Sequence, residues 1–466
     1  MTVKRFVPVT AVGVGILIAL ALPAVPQQRK PLDEEYREIA GKLIGAAMVD
    51  TAGWKKLEYL CDRIGNRVSG SATLERAIQW GAEQMKADGL ENVSTPPVDV
   101  PHWVRGKESA TLESPITRSL TMLGLGGSIA TPPGGITAEV IPVSSFDDLE
   151  KKGRAAVQGK IVLYNEANMG YGRTVIYRRD GALRAARLGA VAAIVRSVDT
   201  ATTLQTVHTG NMRYADDAPK IPTAAVTVED AMLVQRLYDS GDKVRIHLEM
   251  AAQTLPDSRA GNVVGEIRGR EKPNEVVVIG GHIDSWDVGQ GAQDDGSGMV
   301  AALAAAHIIH ELGLRPRRTL RVVFWVNEEN GGAGGKAYRK SLADIKSHVA
   351  AIEMDGGAEK PVGFGMTLKN GKDDRSMALV QEVGKLLEGI GAGRMTEGGG
   401  GSDIEPLMAD GVPGLGLRTV GTHYSDWHHT TSDTLDKVDP QDFRECIATM
   451  AVMSYILADM PDTLGN

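Results

Sequence analysis

The stretch Val276-Val-Val-Ile-Gly-Gly-His-Ile-Asp-Ser285 sets the reading of the whole chain. Four consecutive apolar residues signal a buried strand, and two glycines then lead to His282 and Asp284. In an open α/β sheet, ligands gather at the carboxyl ends of parallel strands. A neutral imidazole there is a suitable zinc ligand, and a carboxylate two residues on can hold its ring. Three more apolar runs end in metal-competent side chains. Thr319-Leu-Arg-Val-Val-Phe-Trp-Val326 precedes Asn327, Glu328 and Glu329. Val349-Ala-Ala-Ile352 precedes Glu353 and Asp355, and Pro413-Gly-Leu-Gly-Leu417 leads towards His429. Asp294 and Asp295 lie between the first strand and a helical stretch from Met299. One such strand end says little; several together predict a metal site.

Working outward, strand and helix patterns alternate from Gly261 onward, which predicts a doubly wound, mostly parallel α/β sheet flanked by helices. Residues 33–109 are expected to supply the first part of this catalytic domain and residues 256–466 the second. Residues 33 to about 105 read as mostly helical, with Trp54, Leu57, Leu60, Cys61 and Ile64 at helical spacing. Residues 110–255 read as a smaller inserted α/β domain. Short strand signals at Ala138–Pro142, Lys160–Leu163, Ala192–Val195 and Thr223–Val226 alternate there with helical ones. That segment has few histidines or paired acids, so it is expected to carry no chemistry of its own.

The chain has 466 residues, enough for two domains, with 42% hydrophobic and 24% charged residues and a net charge of −8. Nothing basic suggests nucleic-acid binding. Lys4 and Arg5 precede the apolar run Ala11–Leu22 and then Pro23-Ala-Val-Pro26, the pattern of a secretory signal over residues 1–26. An uncleaved anchor is the alternative, but the run is short for a spanning helix. The expected location is therefore exported, periplasmic or secreted, with no stable membrane insertion after signal removal. A homodimer is compatible with the sequence. Two cysteines, Cys61 and Cys446, could pair in an exported protein or remain buried thiols.

A site for two zinc ions needs nitrogen and oxygen ligands, an open position and a carboxylate between metals about 3.5–4 Å apart. His282, His429, Asp294, Glu329 and Asp355 would suffice. Three carboxylates and one hydroxide balance the charge of two zinc ions. The tandem Glu328-Glu329 can divide the labour, one carboxylate on metal and the other free as general base. Simpler readings exist for each residue taken alone. Asp294-Asp295 could cap a helix, and Glu328-Glu329 could be a solvated strand end. His307 and His310 read as structural, and His423 and His428 have no assigned role. Asp403, after the glycine loop Gly398–Gly401, could line the substrate cleft or sit in a plain turn. Tyr424 could donate to a developing oxyanion. Gly331-Gly-Ala-Gly-Gly-Lys336 has the wrong spacing for a phosphate loop, and Ser297 and Ser402 sit in no nucleophile elbow.

His282-Ile-Asp-Ser, Gln293-Asp-Asp-Gly-Ser-Gly298, Asn327-Glu-Glu-Asn-Gly-Gly332, Glu353-Met-Asp355 and His429-Thr-Thr-Ser-Asp-Thr-Leu435 together resemble the co-catalytic zinc exopeptidases. That superfamily includes bacterial leucyl aminopeptidases and glutamate carboxypeptidase II. The stretch His282-Ile-Asp-Ser-Trp-Asp-Val-Gly-Gln-Gly-Ala292 is most similar to the plasma glutamate carboxypeptidase branch. The resemblance implies two zinc ions, His282 and Asp355 on one, Glu329 and His429 on the other, and Asp294 between them. It implies Glu328 as general base and Asp284 as the residue orienting His282. Residues 110–255 are similar to the protease-associated domain of that branch. One departure stands out: Asn327 precedes the glutamate pair where alanine is common.

The expected function is hydrolysis of short peptides with a free N-terminus by metal-activated water, as an aminopeptidase or dipeptidase. Three alternatives are carboxypeptidase action at the same site, a single-zinc acyl transferase cyclising N-terminal glutamine, and a receptor-like binding protein on the same fold. A complete five-ligand set argues against the last two.

Overall fold

The computed structural model describes residues 1–10, 30–199 and 204–465. The apolar run Ala11–Leu22 and the prolines after it, read as an export signal, lie outside the described residues. Among the described residues, no helix is long and apolar enough to cross a membrane.

Eight strands form the main sheet: β1 (Glu91–Ser94), β2 (Val263–Ile267), β3 (Lys272–His282), β4 (Arg318–Trp325), β5 (His348–Glu353), β6 (Pro361–Thr367), β7 (Arg394–Glu397) and β8 (Gly414–Thr419). Their order is β1-β2-β4-β3-β5-β8-β6-β7. The four central strands β4, β3, β5 and β8 run parallel. Antiparallel pairs β1/β2, β2/β4 and β6/β8 lie to either side. The apolar run Val276–Ile279 is buried throughout, as a central parallel strand covered on both faces requires. Helix Ser297–Glu311 is apolar almost all round because it packs on the sheet and under helix Pro440–Asp459. Helix Arg37–Val49 covers that layer in turn.

The helical reading of residues 33 to about 105 holds only as far as Ala87. Gly89, at φ +80°, ends the helical path. β1 follows, then strand Pro97–Val104, whose Val98, Val100 and Trp103 point inward. That strand pairs with Gln253–Gly261 in a two-stranded ribbon, which carries the chain into the inserted domain and back. The insert has its own eight-stranded sheet, built from strands between Glu108 and Met250, with an apolar cluster on each face. Cys61 and Cys446 are both buried free thiols, and burial pushes the Cys61 thiol up to about 12.

The two glycines before His282 are required by crowding at the strand end. A Cβ on Gly280 would lie 1.9 Å from the Val323 carbonyl oxygen, and one on Gly281 would lie 2.0 Å from Asp295 Oδ2. Gly41, on an exposed helix face, has nothing within 4 Å of its Cβ position. Gly281→Ala is therefore expected to destabilise the protein by about 1–3 kcal/mol. Gly41→Ala is expected to stabilise it by about 0.5–1 kcal/mol. Urea unfolding of both variants checks the contrast, and equal effects would contradict the packing argument.

Candidate metal centre and active site

The four parallel strands end side by side, and each delivers its functional side chain at its last residue or in the segment that follows it. His282 closes β3, Glu328 and Glu329 follow β4, and Asp355 follows β5. His429 comes from the loop beyond β8, after the short helix Tyr424–Trp427. Asp294 comes from the β3-to-helix connection. Its two carboxylate oxygens face opposite partners: Oδ1 lies 3.1 Å from His282 Nε2, and Oδ2 lies 3.2 Å from His429 Nε2. Asp355 Oδ1 is 3.4 Å from His282 Nε2, and Glu329 Oε2 is 2.9 Å from His429 Nε2. All five residues expected as ligands therefore meet, as two half-sites sharing Asp294.

The Asp294-Asp295 pair splits the two roles considered for it. Asp295 turns inward, where its carboxylate accepts the Gly298 N–H at the helix start and the His282 N–H, each at 3.0 Å. Asp294 is left to face the histidines. Sequence reading missed two residues that hold this loop. The Asp433 carboxylate accepts the N–H groups of Ala292, Gln293 and Asp294 at 3.0, 2.7 and 3.2 Å. Arg67, fully buried, donates to the carbonyls of Gly65, Ile283, Gln290 and Gly291 at 2.7–2.9 Å. Asp433 lies within the quoted His429-to-Leu435 motif, which was a usable signal. Arg67 lies in a polar connection between helices, with no motif to mark it.

The centre has a strong demand for positive charge. Burial alone would lower the affinity of His282 for a proton, but Asp355 and Asp294 overcome it and hold the imidazole well above its usual range. Burial, then the neighbouring carboxylates, pushes Glu329 well above the carboxylate range and raises Asp355. Asp294 is held well below that range, since hydrogen bonds and charge from the histidines outweigh its burial. His282 Nε2 and Asp294 Oδ2 are buried and form no well-aligned hydrogen bond despite close neighbours. Converging imidazole nitrogens and carboxylate oxygens that do not satisfy one another fit zinc coordination.

Around this core, Asp284 acts on His282 through a different atom from the one expected. His282 Nδ1 is 3.0 Å from the Asp284 main-chain carbonyl but 3.9 Å from its carboxylate. The carboxylate instead accepts the Glu328 N–H at 3.1 Å and so holds the backbone of the proposed base. Burial raises the Asp284 carboxyl to about 6. Asn327 explains its own departure from alanine: it sits at φ +65°, a region asparagine tolerates, and its side chain bonds Ser69 and the Ala333 N–H. Asp403 does not line the cleft. Its N–H caps Glu353 Oε2 at 3.1 Å, which turns its side chain inward to 1% exposure, while Ser402 reaches the cleft wall. Burial and Glu353 push the Asp403 carboxyl well up. Glu353 is itself raised to about 8 by burial and Asp355. Tyr424 does face the cleft and stacks on His428, with its hydroxyl kept protonated by burial and nearby acids.

A cavity of about 460 Å³ opens over the centre. Glu328, Asp355 and Tyr424 line it from the catalytic domain, and Tyr171, Arg178 and Asp199 from the insert. The insert, read from the sequence as carrying no chemistry of its own, thus forms part of the cavity wall. Its contribution was illegible because single residues spread over residues 171–209 converge only on folding. Arg178 Nη1 lies 3.3 Å from His429 Nδ1, and the Thr209 N–H donates to the His429 carbonyl at 2.9 Å. His429 needs such support, because it sits at φ +61°.

Comparison with known proteins agrees with this architecture. Residues 262–454 match the model of peptidase family M28, and residues 134–234 match the PA domain. The chain is 43% identical to mouse carboxypeptidase Q over 433 residues, covering 92% of this chain and 91% of the relative. It is 42% identical to human carboxypeptidase Q, covering 92% and 90%. Among solved structures, an M28 peptidase precursor from Shewanella amazonensis SB2B superposes with a TM-score of 0.89 at 34% identity, covering 93% of this chain and 99% of that one. A zinc aminopeptidase from Bacillus subtilis shares the fold, with a TM-score of 0.66 at 18% identity, covering 87% and 94%. Four parallel strand ends meeting at a shared Asp294, with a second α/β domain inserted before them, are thus accounted for by descent: the chain belongs to peptidase family M28 and carries a PA domain within it.

Proposed function

We propose that this protein is an exported di-zinc exopeptidase that hydrolyses short peptides with a free N-terminus. The observation that carries the reading is Asp294, whose two oxygens face His282 and His429 at nearly equal distances. In this reading His282 and Asp355 would hold one zinc, Glu329 and His429 would hold the other, and Asp294 would serve both. Zinc bound there would supply Lewis acidity, polarising a peptide carbonyl and making water more acidic. The carboxypeptidase Q relatives and the zinc aminopeptidase structure support a peptidase of this kind.

The chain's own groups then divide the work. Glu328 stands half-buried in the cavity wall, with its N–H fixed by Asp284. Its carboxylate takes a proton from water and returns it to the leaving amine. Tyr424 offers its hydroxyl to negative charge developing on the carbonyl oxygen. The insert closes one side of the cleft, which restricts substrates to short peptides. The net charge of −8 and the acid-rich cleft favour an α-ammonium group over an anionic approach. Export rests on the pattern of residues 4–26.

One observation favours a second reading, cleavage governed by the free C-terminus. Arg178 brings a guanidinium to the cavity wall, and that group pairs well with a terminal carboxylate. A dipeptide offers both termini, so dipeptidase action satisfies both readings. Amine release from one dipeptide in free, N-acetylated and C-amidated forms separates them. Acetylation is expected to slow cleavage most; faster cleavage of the acetylated form would make carboxypeptidase the correct assignment.

Two variants test the centre itself. Glu328→Gln is expected to retain metal and lose turnover by about 10²–10⁴-fold. Near-normal turnover would remove Glu328 from its role. Asp294→Asn is expected to lose two zinc ions relative to wild type by elemental analysis. One tightly bound zinc in active wild type would favour a single-metal centre.

A further inference from the structure

A second group of metal-competent side chains adjoins the five-residue centre at the seam between the insert and the catalytic domain, with one member, His428, also placing its Nε2 3.6 Å from Asp294 Oδ2. Asp199 and His208 come from the insert, and His428 from the loop that also carries His429. One ligand atom from each of the three lies within 4.8 Å of the others, and all three residues are buried. Asp199 Oδ2 lies 2.5 Å from His428 Nδ1. His208 is the telling member. It is 1% exposed, and neither ring nitrogen makes a well-aligned hydrogen bond, although the His428 main chain lies close to the ring. A buried imidazole so poorly satisfied is costly and calls for an explanation.

We propose that Asp199, His208 and His428 form a third zinc site that clasps the inserted domain to the catalytic domain. Two imidazoles and one carboxylate are a standard three-residue donor set for tetrahedral zinc, with the fourth position left to water. The other Asp199 oxygen, Oδ1, accepts from Ser425 Oγ at 3.0 Å, the kind of outer hydrogen bond that fixes a ligating carboxylate. An entry path exists because Asp199 and His428 both line the cavity. The clasp would also steady the loop that presents His429, which Thr209 and Arg178 already hold from the insert. Tyr424 packs on His428 from one side and Tyr171 from another, which limits the movement of that ring.

Metal counting tests the site independently of the peptidase reading. Full-length protein is loaded with zinc, freed of excess by gel filtration and analysed for zinc per chain. Three ions are expected in wild type, two in His208→Ala and one in Asp294→Asn. Because His208→Ala leaves a cavity, His208→Gln is measured beside it, with circular dichroism to confirm folding. Anomalous scattering at the zinc edge from wild-type crystals should show a peak among Asp199, His208 and His428. No peak there, or the wild-type zinc count in both folded His208 variants, would overturn the third site. So would a fall of two zinc ions in those variants, which would make His208 a support for the catalytic centre only. A peak at this cluster with fewer than two ions at the catalytic centre would uphold the clasp while sinking the di-zinc reading.

Discussion

Like charges buried together dominate this molecule. Asp284, Asp294, Glu329, Glu353, Asp355 and Asp403 stand close enough to shift one another's protonation. Two unit charges about 4 Å apart interact with about 4 kcal/mol at an effective dielectric of about 20. Without compensating cations, several of these carboxyls hold protons instead. Arg67 is one that the chain supplies, and Asp433, Asp284 and Asp295 in turn favour its charge against the cost of burial. The histidines are the other source of compensation from the chain, and bound metal ions would meet the same demand more completely. The sheet therefore does more than support the site: by ending four parallel strands side by side, it creates the charge problem that the site chemistry resolves.

Much of the surrounding structure serves to keep that crowded arrangement in one geometry. Gly280 and Gly281 let β3 run close to the Val323 carbonyl and the Asp295 carboxylate, where no side chain fits. Asp295 ties the His282 backbone to the start of the next helix. Asp433 collects three consecutive N–H groups of the Asp294 loop, while Arg67 gathers the carbonyls on its other side. A buried network of this kind is rigid because each unmet group would be expensive. It fixes the direction of Asp294, and with it the separation of the two half-sites.

The insert takes part in the same arrangement. Thr209 and Arg178 reach His429 from outside the catalytic domain, and Asp199 reaches its neighbour His428. The positive φ of His429 is held by contacts that the catalytic domain alone does not provide. Coupling of this kind links the position of the insert to the geometry of the centre.

Local pattern was sufficient for the parallel core and for the residues that converge at its strand ends. Continuous apolar runs such as Val276–Ile279 mark buried strands because both faces are covered, and metal-binding residue types at their ends mark the site. Both signals lie within a few residues of each other along the chain. Tertiary structure alone decided which atoms act. It turned Asp284's carbonyl, not its carboxylate, towards His282, and it sent Asp403 inward while Ser402 reached the cleft. It also brought Tyr171, Arg178, Asp199 and His208 to residues more than two hundred positions away. Side-chain direction depends on backbone torsions and on partners distant in sequence. Residue type and spacing carry no record of either until the two domains close on one another.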